Sequence, residues 1–157
     1  DYTNADRAWA KQFIKEHRLD KDILEGFHFR GSSANKSLSP ETCKKITDFL
    51  VSHGYQVVIF DSADQRFDLE KDTAKGIAHY FSDSILHSAA LIDQCQFLVG
   101  IDSGVGHIAA ALNKKLFSIY FKKIWMHNSL ALGDHIYPHH YIDDDALLKE
   151  LETFITS

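Results

Sequence analysis

The stretch "FLVGIDSGVGHIAAAL", residues 97–112, decides how this chain is read. An apolar run leads into Asp102, Ser103 and Gly104 follow, and then Val105, Ile108, Ala109 and Leu112 fall at i, i+3, i+4 and i+7. The run reads as a buried strand over 97–102, and the stripe as a helix starting directly after Ser103-Gly104. Such a junction aims the N–H groups of Ser103, Gly104 and Val105 out of a helix N-terminus, where roughly half a positive charge resides. Gly104 lets the backbone approach a ligand with no Cβ in the way. This is what a phosphate needs. Helix capping alone is the plainer alternative, since Asp and Ser are favoured N-caps.

Working outward, the same alternation continues on both sides. Upstream, a helix over about 5–18 carries Ala10, Phe13, Ile14 and His17 on one face, and "GFHFRG" (26–31) reads as a short strand. Ser39-Pro40-Glu41 supplies an N-cap, a first-turn proline and a first-turn acid for a helix that stops at Gly54, a C′ glycine. "YQVVIFD" (55–61) is a buried strand by its β-branched density. A charged segment, "SADQRFDLEKDTAKG" (62–76), is expected to be partly helical, with a short strand near 77–81 and a helix capped by Asp83-Ser84. Downstream, "LFSIYF" (116–121) is a further strand. The pattern weakens from Lys122 to His140, and a last helix begins after Asp143-Asp144-Asp145.

Strands alternating with helices imply right-handed βαβ crossovers and a mainly parallel sheet covered on both faces. The apolar runs fit a doubly covered sheet. The fold class is therefore α/β, a Rossmann-like three-layer sandwich, read as one domain over residues 1–157. Ligands of such sheets bind beyond the carboxyl ends of the strands, at the switch point, so the loops after residues 30, 61, 82, 102 and 121 are the candidates.

One of these loops has phosphate character besides "DSGVGH". "RGSSANKSLSPE" (30–41) offers N–H groups at Gly31 and Ser32, hydroxyls at Ser32 and Ser33, and a cation at Lys36. Read alone, the two serines are equally turn residues and Lys36 a solvated charge; the expectation is that both loops emerge on the same edge of the sheet. His107, one turn into its helix, is either a phosphate or sugar contact or a partly buried structural histidine. His135, His139 and His140 lack carboxylate spacing for zinc and read as loop histidines. No GxGxxG, no GK[ST] and no GxSxG occurs, which disfavours a dinucleotide site, a Walker loop and a serine hydrolase.

The 157 residues suffice for one ordinary domain. With 45% hydrophobic and 25% charged residues the chain sits among soluble globular proteins, and a formal charge of −5 leaves no general footprint for nucleic acid. Cys43 and Cys95 form no CxxC pair and lie in predicted helices, so a reducing interior is the simpler setting. No apolar run approaches the ~20 residues of a membrane span, which leaves peripheral membrane contact open. The opening "DYTNADRAWA" has no initiator Met, and the expectation is an excised domain or processed fragment.

"LIDQCQFLVGIDSGVGHIAAALNKKLFSIYF" (91–121) resembles the C-terminal domain of the heptosyltransferases, the family 9 glycosyltransferases of GT-B fold. Their hallmark is a strand, D-[ST]-G-x-x-H-[IL]-x-A-A-L, and a second strand; Asp102, Ser103, Gly104, His107, Ala110, Ala111 and Leu112 match it. The first strand, hydroxyl-and-lysine loop, proline-started helix and "YQVVIF" strand look like the same family, so the resemblance spans roughly residues 5–121.

It implies the donor-binding half of a glycosyltransferase that moves a heptose or related sugar from a nucleotide diphosphate sugar, typically ADP-linked, onto a lipopolysaccharide-like glycan or lipid-linked acceptor. Ser32, Ser33, Lys36, Ser103 and Gly104, with Asp102, Val105 and His107 beside them, would hold the donor, and Asp61 or Asp64 would serve the ribose. No metal or other cofactor is implied. The general base would belong to an N-terminal acceptor domain outside this chain, and the setting would be cytoplasmic, with contact at the inner face of a bacterial membrane left open. Two departures stand out. "YFKKIW" (120–125) replaces the family's F-G-x-[ST], so either Lys122 and Lys123 contact an anion or this loop serves another donor. Leu38-Ser39 precedes Pro40 where a tryptophan is usual. A non-catalytic nucleotide-binding or protein-interaction module on the same half-fold is the alternative reading; an NAD-linked oxidoreductase is a weaker one.

Overall fold

The computed structural model describes residues 2–61, 76–126 and 133–157. Strands β1 (Leu24–His28), β2 (Gln56–Asp61), β3 (Ile77–Phe81), β4 (Leu98–Ile101), β5 (Leu116–Tyr120) and β6 (Ile136–His140) form one sheet in the order β3-β2-β1-β4-β5-β6. Each neighbouring pair is parallel. This is the strand order of doubly wound nucleotide-binding folds, with the switch point between β1 and β4.

Alternation along the strands builds two cores. Val57 and Ile59 of β2, with Val99 and Ile101 of β4, face α2 (Pro40–Ser52) and α5 (Asp144–Thr156). Val58, Phe60 and Leu98 face α1 (Asn4–Glu16), α3 (Ile85–Gln94) and α4 (Gly104–Ala111). With both faces covered, the strands need apolar residues at nearly every position, which is why their sequences read as continuous runs.

Local signals fix the helix ends. Thr3 and Asp6 form a capping box on α1, Ser39 caps α2 ahead of Pro40, Ser84 caps α3, and Asp143 caps α5. Gly54 follows α2 with φ +89°, as its C′ position requires. Across the α2–α5 layer, Thr42 donates to Asp144 at 2.7 Å and Lys45 pairs with the same carboxylate at 3.0 Å.

Several expectations are corrected. β1 lies at 24–28, not 26–31, so His28 ends the strand and the segment from Phe29 belongs to the loop. β6 is absent from the sequence reading, and His139 and His140 stand on it, not in a loop. "IYPHH" lacks the apolar density of a central strand, but β6 is an edge strand, where Pro138 is tolerated. His139 is buried with its ring 5.6 Å from that of Phe117; His140, the next residue, points to the opposite face, so the two do not converge on one ion. The last helix starts at Asp144 with Asp143 as its cap, earlier than expected. Cys95 sits just past α3, and both cysteines are free and buried. The helix expected within 62–76, and Asp64 with it, fall on residues outside those described. Among the described residues no helix is long and apolar enough to cross a membrane.

Candidate functional site

The parallel register puts the ends of β1 and β4 side by side, since His28 pairs with Gly100. The loops after them therefore emerge together, and between them opens a cleft of about 590 Å³, a common size for a small-ligand site. Ser32 and Lys36 line it from the first loop, Asp102, Ser103, Gly104 and Val105 from the second, and Phe121 and Trp125 from the loop after β5. The two phosphate-like turns share one rim of the sheet, as the sequence required.

The first loop is folded on itself. Gly31 N–H donates to Ser37 Oγ at 2.9 Å, and Ser37 Oγ donates to the Ser33 carbonyl at 2.9 Å. A single 3-10 turn, Ala34–Lys36, then directs Lys36 back over the cleft. Its ammonium lies 5.5 Å from the centre of the Trp125 ring, and that of Lys122 lies 5.1 Å from it. Cation–π attraction thus links the loops after β1 and β5 across the mouth of α4. Ser33 faces a neighbouring groove on the outer flank of the same loop, and its hydroxyl bonds to Asn35.

The N-terminus of α4 differs from the other four described α-helices. Ser103 holds the N-cap position with extended backbone (φ −158°, ψ 174°), yet its side chain makes no capping bond. Its Oγ lies instead 2.9 Å from His28 Nδ1. The first-turn N–H groups of α4 therefore face the cleft with no side-chain acceptor among the described residues, which answers the capping alternative for Ser103. A helix end left this way presents donors and a partial positive charge to an anion.

Gly104 stands where this end meets open space: a Cβ built there meets nothing within 4 Å. The protein itself does not require glycine at this position. Gly104→Ala is therefore expected to leave the thermal midpoint unchanged or slightly raised, as alanine favours a helix, while nucleoside diphosphate affinity falls. Calorimetric titration alongside a melt checks both halves.

The remaining candidates lie off the main cleft. Asp61, expected at the ribose, is buried, and its carboxylate accepts from Arg30 Nε at 3.0 Å. It orients Arg30, which lines the cleft in its place. His107 is exposed on the far flank of α4, its Nε2 4.0 Å from Asp102 Oδ1. His28, Arg30 and Trp125 were not singled out from the sequence. His28 was hidden by a strand end set too late, and Trp125 by the loss of pattern after Lys122. Burial holds the His28 imidazole uncharged at neutral pH, lowering its pKa to about 4; Asp61 pulls it upward and Arg30 adds to the lowering.

A doubly wound parallel sheet with an open cleft at its switch point defines a Rossmann-type α/β domain. The model of glycosyltransferase family 9 (heptosyltransferase) matches residues 4–123, and the chain belongs to that family. Among solved structures it is similar to a family 9 glycosyl transferase from Veillonella parvula DSM 2008 (TM-score 0.81, 19% identity, 99% of this chain and 53% of that one). It is likewise similar to E. coli ADP-heptose lps heptosyltransferase II (0.74, 20%, 99% and 53%). A third likeness is to an E. coli heptosyltransferase solved with ADP (0.73, 16%, 92% and 48%). At these identities the likeness concerns the fold. The chain spans about half the length of these structures. No protein of curated function matches it.

Proposed function

We propose that this chain is the donor-binding half of a glycosyltransferase that transfers a heptose or related sugar from an ADP-linked donor to a lipopolysaccharide-like bacterial acceptor. The observation that carries it is the open N-terminus of α4 facing the Ser32–Lys36 loop across one cleft. Family membership supplies the reaction class, and the relatives solved with ADP and with ADP-2-deoxy-2-fluoro heptose suggest the donor.

In this reading the diphosphate lies between the two loops. The N–H groups of Ser103, Gly104 and Val105 and the hydroxyl of Ser32 bind its oxygens, and Lys36 supplies the opposite charge. Trp125 and Phe121 wall the nucleoside or sugar side of the cleft, and Arg30, held by Asp61, contributes a further cation. As the glycosidic bond breaks, negative charge grows on the departing diphosphate. Preorganised donors and a lysine stabilise that charge more in the transition state than in the ground state, which lowers the barrier. These groups supply the electrostatic work without any metal. The acceptor and the general base that deprotonates it are assigned to a further domain. The setting is the cytoplasmic face of the membrane, where the acceptor would be lipid-linked.

Isothermal titration with ADP, ADP-heptose and other nucleotide sugars tests the reading; absence of binding by all of them refutes it. Lys36→Gln is expected to weaken ADP by about 1–3 kcal/mol, the range for a hydrogen bond to a charged group, and adenosine far less. Equal weakening of both ligands removes the diphosphate role from Lys36.

A further inference from the structure

Thr3, Ser39, Ser84 and Asp143 each cap their helix with a side-chain oxygen, and Ser103, at the same position of α4, does not. A serine hydroxyl at an N-cap is strongly drawn to the first-turn N–H groups, so its diversion has a cause. The cause stands 2.9 Å away: His28 Nδ1, at the last position of β1, beside β4 in the sheet.

We propose that His28 is a positioning residue that holds the Ser103 hydroxyl off the cap, so that the first-turn N–H groups of α4 stay open for the donor diphosphate. This rests on the donor-site reading above and extends it to a residue outside the family motif. The two acceptors compete for the same donors: a Ser103 oxygen that capped α4 would occupy the N–H of Val105 or Gly106 that a phosphate oxygen needs. Either imidazole tautomer does the work. With Nδ1 unprotonated it accepts from the hydroxyl; with Nδ1 protonated it donates to Oγ; both turn the side chain toward β1. The second case also leaves the Ser103 O–H pointing away from the ring and able to donate to the ligand. His28 stays uncharged at neutral pH, so it places no fixed positive charge of its own at the site, and its part is geometric.

The test separates positioning from contact and from general loss of structure. His28→Leu keeps bulk and removes both nitrogens, freeing the Ser103 hydroxyl to cap α4. Binding of ADP and of inorganic pyrophosphate is expected to weaken roughly five- to tenfold, the equivalent of one ordinary cap bond, with adenosine unchanged. His28→Asn, whose amide reaches the place of Nδ1, is expected to bind as wild type, and His28→Gln, whose amide reaches that of Nε2, as His28→Leu. In the Ser103→Ala background no hydroxyl exists to cap the helix, so adding His28→Leu should bring no further loss. The inference is overturned if His28→Leu and His28→Gln bind ADP as wild type. It is equally overturned if His28→Leu loses the same factor with and without Ser103. A wild-type chain that binds neither ADP nor pyrophosphate refutes the donor-site reading itself, a different result from either of these.

Discussion

Glu25→Met is expected to stabilise the protein at pH 7 by about 1–3 kcal/mol, the cost of leaving a buried polar group unpaired. For a chain of this size that is on the order of 5 °C in Tm. Glu25 lies on β1 with none of its surface exposed, and neither carboxylate oxygen has a hydrogen-bond partner among the described residues. Burial alone pushes its pKa well above the ordinary carboxylate range. The pH dependence follows from the sign of that shift. In the unfolded chain Glu25 ionises near its usual value of about 4.3, whereas in the folded protein it holds its proton to higher pH. Below that value both states carry the proton, and Glu25 adds no slope. As pH rises from there to the raised folded pKa, only the unfolded state releases the proton, and stability falls. The stability gap between Glu25→Met and wild type should thus widen with pH across this window and be smallest in acid. Chemical denaturation from pH 4.5 to 8 measures it; a gap that shrinks toward neutral pH, or a destabilised variant, refutes the account.

Gly31→Ala is expected to lower ADP affinity roughly ten- to a hundredfold, the equivalent of losing a hydrogen bond to a charged group. A Cβ at Gly31 would lie 2.3 Å from the Lys36 carbonyl oxygen and 3.0 Å from its carbon. These are backbone atoms, so the loop has to move as a unit and carry Ser32 and Lys36 with it. The bonds closing the loop, Gly31 to Ser37 and Leu38 N–H to the Phe29 carbonyl at 3.0 Å, transmit the shift to its full width. The sheet and both cores are untouched, so the melting midpoint should change little. Gly31 is thus glycine because the chain itself closes on it, whereas at Gly104 the protein leaves open space that the proposed donor would fill; the two substitutions should separate in the melt and titration together. A Gly31→Ala variant that binds ADP normally would show the loop more compliant than its packing implies.

The fold was legible where burial on two faces forces near-continuous apolar sequence, as in "YQVVIFD" and "FLVGID", and where caps are specific, as at Ser39-Pro40 and Asp83-Ser84. It was not legible at β6, because an edge strand with one neighbour tolerates proline and histidine that a central strand rejects. The two-loop site could be anticipated because parallel crossovers bring the ends of adjacent strands to one rim. Its finer parts depend on partners far apart in sequence. Nothing local to "DSGVGH" reveals that Ser103 bonds to His28, 75 residues away. Nor does "YQVVIFD" reveal that Asp61 is covered by Arg30. The Lys36–Trp125–Lys122 arrangement joins two loops with no sequence periodicity to mark either.

Among the described residues the sheet ends at β3 on one side and β6 on the other, and β6 carries Pro138 at its centre. A proline supplies no amide hydrogen, so a strand arriving from a second molecule would find a break in the row of donors it must match. Intermolecular sheet extension, the usual route to fibrillar aggregates of parallel-sheet proteins, is obstructed along this margin by one side chain.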